Sequence, residues 1–102
     1  MRGQESGDPF SVTTTHATGA VASKTGATGK TYYITDISAS SDKAGSIILV
    51  KQGTTTIWQD LVGAGAYARS FSTPLVGASG ALVSVEIDGT SACKANISGY
   101  AL

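Results

Sequence analysis

Apolar and polar residues alternate with a period of two along most of this chain, most cleanly near its C-terminus. Val83, Val85 and Ile87 share one face of an extended segment, opposite Ser84, Glu86 and Asp88. Further on, Cys93, Ala95 and Ile97 share a face opposite Lys94, Asn96 and Ser98. A two-residue period is the mark of a half-buried strand. Read along the whole chain, it predicts clear strands at 31–39, 46–51, 55–62, 66–73, 81–87 and 92–102, and weaker ones at 12–15 and 19–23. Turn-forming clusters separate them: Ser40-Ser41-Asp42-Lys43, Gln52-Gly53, Gly63-Ala64-Gly65, residues 76–80 and Asp88-Gly89. Between the turns Thr, Val, Ile and Tyr dominate, and β-branched side chains suit a pleated surface. Seven or eight short strands in so few residues fit an antiparallel sandwich or barrel.

If the last two segments form a hairpin, both apolar faces point inward only when odd positions lie opposite odd ones. A two-residue Asp88-Gly89 turn breaks that rule. An odd-length loop with Gly89 in a left-handed bulge keeps it, and is the expectation.

Two places depart from simple alternation. Ile47-Ile48-Leu49-Val50 is apolar on both faces, so Ile47 and Leu49 point away from the core if Ile48 and Val50 point into it. Trp58 shares parity with Thr56 and Asp60 rather than with Ile57 and Leu61. Either a bulge turns its ring inward, or the ring lies on an outer surface that meets a partner. Ahead of the strands, residues 1–10 are polar and Gly-containing until Pro9-Phe10. They read as a flexible arm anchored by Phe10, with 11–102 as a single domain. Phe10, Ile47, Leu49 and Trp58 are therefore the candidate partner interface.

Composition narrows the function classes. Ala, Gly, Ser and Thr make up 53 of the 102 residues, while seven Lys and Arg balance seven Asp and Glu. Five Lys and two Arg, scattered and offset, make no phosphate-tracking stripe, so nucleic acid is not an expected partner. No apolar run approaches the ~20 residues of a membrane-spanning helix, and no membrane partner is expected. Met1 to Asp8 contains no apolar signal core, which leads to an expectation of cytoplasmic synthesis without a signal peptide. The single Cys93 can form no internal disulfide and reads as a small core residue.

Segments with a chemical look lack the context that chemistry requires. Thr28-Gly29-Lys30-Thr31 ends like a phosphate-binding loop, but Lys24 stands where the first Gly belongs and the strand-like Tyr32-Tyr33-Ile34-Thr35 follows. A helix N-terminus is needed there. Gly63-Ala64-Gly65-Ala66-Tyr67-Ala68 fits G-x-G-x-x-A, yet a strand pattern again follows, with no room for a βαβ unit. His16 is the only histidine, and no G-x-S-x-G elbow supplies a nucleophile. One His and one Cys show no metal-ligand spacing. Asn96-Ile97-Ser98 matches a glycosylation sequon, but the period buries Ile97. The expectation is no enzyme activity, no catalytic residues, no metal and no cofactor.

The stretch from Thr31 to Leu102 includes Tyr33-Ile34-Thr35-Asp36-Ile37-Ser38-Ala39-Ser40, Thr56-Ile57-Trp58 and Ala95-Asn96-Ile97-Ser98-Gly99-Tyr100. In texture and element order it resembles the capsid decoration, or cement, proteins of tailed bacteriophages. That resemblance implies an antiparallel β-sandwich of jelly-roll type with about eight strands. It also implies a non-enzymatic virion protein on the capsid exterior, bound to the major capsid protein as a dimer or trimer and stabilising the shell. The alternative is a carbohydrate- or receptor-binding module of a phage fibre or spike, with Tyr32, Tyr67 or Trp58 as a stacking platform. A concave site with Asn or Asp beside an aromatic ring favours sugar; a flat apolar flank favours cement.

Overall fold

The computed structural model describes residues 8–16, 19–89 and 93–102. Eight strands run in chain order: β1 (Asp8–His16), β2 (Gly19–Lys24), β3 (Tyr32–Ser41), β4 (Ile47–Gln52), β5 (Thr55–Leu61), β6 (Gly65–Val76), β7 (Val83–Asp88) and β8 (Cys93–Ala101). Every strand expected from the period is present. The first begins earlier than its pattern suggests, so Asp8, Pro9 and Phe10, read from the sequence as the end of the arm, pair with Ala101, Tyr100 and Gly99. Pro9 is tolerated because β1 is an edge strand. The remainder of the expected arm, residues 1–7, lies outside the described residues.

The pairing follows one rule. β1 pairs with β8, β2 with β7, β3 with β6 and β4 with β5, all antiparallel. The chain is thus one long hairpin, closed at Gly53-Thr54, whose two arms wrap together into two sheets. Their orders are β1-β8-β3-β6 and β2-β7-β4-β5. This is a jelly roll. At the hairpin tip Gln52 pairs with Thr55, and Gly53 has φ 57°, the positive value required at the first central position of a two-residue II′ turn.

β7 and β8 do not form a hairpin. They lie in opposite sheets, so the chain leaves β7 at Asp88 and crosses the sandwich. Gly89 is not left-handed; it packs where any Cβ would collide with the Cys93 sulfur. The expected inward faces are nonetheless correct. Val83, Val85, Cys93 and Ile97 are fully buried with Ile34, Ile37, Ile48 and Val50 in one core.

Two bulges adjust the parity. The β3 register with both neighbours shifts between Ile34 and Asp36. Against β8 Thr35 is the extra residue, while β6 has residues 71–74 opposite it, and the break allows Ile34 and Ile37, three apart, both to point inward. The Thr35 hydroxyl donates to Asp36 Oδ2 at 2.9 Å. Opposite this bulge, a Cβ at Gly99 would fall inside the Tyr33 carbonyl oxygen. Gly99→Ala should therefore destabilise the domain by about 1–3 kcal/mol, the range for forced overpacking; a thermal melt within a degree of the wild type would contradict this close approach. The second bulge lies in β5, where Val50 pairs with Trp58 but Lys51 pairs with Thr56. Ile57 is the extra residue, and Trp58 takes the inward side of Val50.

Candidate docking surface

Strand register determines which side chains leave the sandwich together, because cross-strand partners share a face. On the outside of the β2-β7-β4-β5 sheet, Val21, Glu86, Leu49 and Gln59 form one row, and Ile47 pairs with Leu61 in the next. Leu61 is 66% exposed, Val21 50% and Ile47 44%, while Leu49 is half-buried. Ile47, Leu49 and Leu61 thus make a contiguous aliphatic patch, with Val21 beyond Glu86. Glu86 is not a loose charge: Lys51 Nζ lies 3.1 Å from its Oε2. The flank is aliphatic and locally neutral, and Val21, Ile47, Leu49, Gln59 and Glu86 line an open groove there.

Polar groups behind the patch hold it in place. Asp88 accepts from the Ile47 amide at 3.2 Å and from Lys43 Nζ at 2.7 Å. Ser41 Oγ donates to the Asp88 carbonyl at 2.7 Å and accepts from the Lys43 amide. On the other side, buried Ser46 donates to the Gly63 carbonyl at 2.8 Å, and its own carbonyl accepts from the Val62 and Gly63 amides. The β3–β4 and β5–β6 connections are both tied to the start of β4, which fixes Ile47 between them.

These contacts have a pH signature. The Lys43 ammonium, and then the Ile47 amide, hold the Asp88 carboxyl below its ordinary 3.8. Asp88 in turn raises Lys43 above its ordinary 10.5. A carboxyl whose pKa falls on folding stabilises the fold above its unfolded value and loses that contribution as pH drops through the lower folded one. The lysine's contribution is present below 10.5 and is lost as pH rises past it. Asp88→Asn should therefore lower the melting temperature across neutral pH, with the gap to wild type closing in acid below 3.8. A gap independent of pH would show that the carboxylate charge is not what ties this loop down.

The sequence-predicted interface residues do not come together. Ile47 and Leu49 lie on the outer patch. Phe10 turns the other way, half-buried edge-on to Tyr32 with ring centroids 5.3 Å apart. Trp58 is half-buried between β5 and β6, 5.3 Å from Phe71 and 6.4 Å from Tyr67, with the Arg69 guanidinium 5.4 Å above its ring. Tyr67 Oη donates to Asp60 Oδ2 at 2.6 Å, which keeps that carboxyl below its usual value. Trp58, Tyr67 and Phe71 plug the open side of the sandwich. Val21 and Leu61 complete the patch, and single-strand patterns could not assign them to it; only the cross-strand register does.

The other outer face is polar. Its rows read Ser11-Ser98-Asp36-Ser70 and Thr13-Asn96-Ser38-Ala68, and Asn96 Nδ2 donates to Thr13 Oγ1 at 2.7 Å. At one end Tyr33 and Tyr100 stack, 5.1 Å apart and 7° from parallel.

The apparent nucleotide motifs both run into strands: Lys30 precedes β3, and Gly65 opens β6. Among the described residues no group of three or more His, Cys, Asp or Glu is placed to hold a metal ion. No family model matches the chain, and no curated protein or solved structure is a match to it.

Proposed function

We propose that this protein is a capsid decoration protein, a non-enzymatic jelly roll that docks the outer face of its β2-β7-β4-β5 sheet on the exterior of a virion shell and braces neighbouring copies of the major capsid protein. The observation that carries this reading is the aliphatic patch of Ile47, Leu49 and Leu61, exposed on a rigid flank where a free-standing domain gains nothing by showing it. The resemblance of residues 31–102 to phage cement proteins points the same way. Docking through side chains on a prebuilt sheet needs little reordering, so most of the apolar contact is available as affinity.

The sugar-binding alternative has less support. Tyr32, Tyr67 and Trp58 are all turned inward. The outward pair, Tyr33 and Tyr100, stack on each other, so one face of each ring is already taken.

Co-sedimentation with expanded tailed-phage heads that lack their decoration protein tests the proposal. Saturable binding at a fixed ratio to the major capsid protein is expected. Recovery of all the protein in the supernatant would overturn it.

A further inference from the structure

Among the described residues the two open sheets of this jelly roll have four edges, β1, β6, β2 and β5. Each presents unpaired backbone groups that can template another strand unless the edge is short, bulged, charged or interrupted by proline. Three are guarded. β5 is bulged at Ile57. β6 loses its register with β3 between Ser70 and Leu75 and carries Pro74, which has no amide hydrogen. β2 has only six residues and ends on Lys24.

β1 has such guards, Asp8 and Pro9, only at its first two positions. It pairs with β8 residue for residue over all nine positions, without a shift. From Phe10 to Thr15 it contains no charged residue, glycine or proline. Its outward hydroxyls are already ordered, since Asn96 Nδ2 donates to Thr13 Oγ1 at 2.7 Å and Ser98 Oγ to Ser11 Oγ at 3.0 Å.

We propose that the β1 edge pairs with β1 of a second copy of this chain, antiparallel about a two-fold axis at Val12, joining two four-stranded sheets into one of eight strands. The faces select this partner. Phe10, Val12 and Thr14 alternate with the outward Ser11, Thr13 and Thr15, so any added strand must keep the same phase. A two-fold at the middle of the strand does so by symmetry. It sets Val12 against Val12 of the second copy, Phe10 against Thr14, and Ser11 against Thr13, combinations that favour cross-strand contact. Asp8, the strand's only Asp, Glu, Lys or Arg, falls opposite position 16 and meets no second carboxylate. The pairing uses the β1 edge rather than the outer face of the other sheet, so it stands whether or not that face binds a shell.

Sedimentation equilibrium of the full chain tests it, with a dimer of the 10.2 kDa chain expected. Ser11→Lys with Thr13→Lys opposes lysines at both symmetric positions and should weaken the dimer at least tenfold. A Ser11→Glu and Thr13→Glu chain should do the same, and an equimolar mixture of the two variants should restore a heterodimer. If either charged variant fails to fold, oxidation of a Ser11→Cys chain mixed with a Thr13→Cys chain reads the same register, and a cross-linked heterodimer is expected. A monomer at every concentration, a trimer, a lysine variant that still dimerises, or a mixture that forms neither heterodimer nor cross-link would overturn the assignment.

Discussion

Val85→Asp should leave this domain without a cooperative fold. Val85 is fully buried at the centre of β7, in register with Ala22 on one side and Val50 on the other. Among the described residues the buried polar positions are Ser41, Ser46 and Ser84, and none is a lysine or arginine that could pair with a new carboxylate. An unpaired charge in that setting costs several kcal/mol, or forces the group to take up a proton at similar expense. A domain of this size has roughly 5–15 kcal/mol to lose. Loss of the thermal transition and of the far-ultraviolet β signal is the expected result. A soluble Val85→Asp chain with a sharp melt near that of the wild type would mean that the inward face of β7 has been misassigned.

Replacing Ile47 with Lys together with Leu61 with Glu should abolish shell binding while sparing the fold. The two residues are cross-strand partners on the outer face, both substantially exposed. The double variant keeps the net charge and puts an opposite-charge pair where two aliphatic chains stood, so strand pairing is retained. The melting temperature should move by no more than a few degrees. Affinity for the shell should fall at least 100-fold, about 2.8 kcal/mol, because two apolar contacts are lost and two charges must be stripped of water. Undiminished binding by a folded double variant would move the contact to another face.

The period-two pattern made the strands legible because each strand has one wet face and one dry one, and that contrast survives in a single sequence. What the pattern could not carry was pairing. The adjacency of β7 and β8 in the chain suggested a hairpin, yet the Asp88 side chain is committed to Lys43 and Ile47 while the chain crosses to the other sheet. Parity breaks marked the bulges without resolving them. Ile34 and Ile37 cannot both point inward on a regular strand, whereas Trp58 faces inward because it and Asp60 pair with Val50 and Ile48, and the bulge at Ile57 lets that neighbour pack on the core as well. The start of β1 was obscured because an edge strand with Phe10 and Val12 as its only large apolar residues looks like a polar arm. On the candidate surface, the two-faced run at 47–50 gave Ile47 and Leu49 directly. Val21 and Leu61 each look like isolated surface aliphatics until the register sets them on the same face.

The most direct test of the docking surface is a cryo-electron microscopy reconstruction of expanded phage heads incubated with the purified protein. Jelly-roll density is expected at symmetry-related positions on the outer shell, with the β2-β7-β4-β5 sheet lying against the capsid and Ile47, Leu49 and Leu61 in the contact. Heads that remain bare, or density in which that sheet faces solvent, would contradict it.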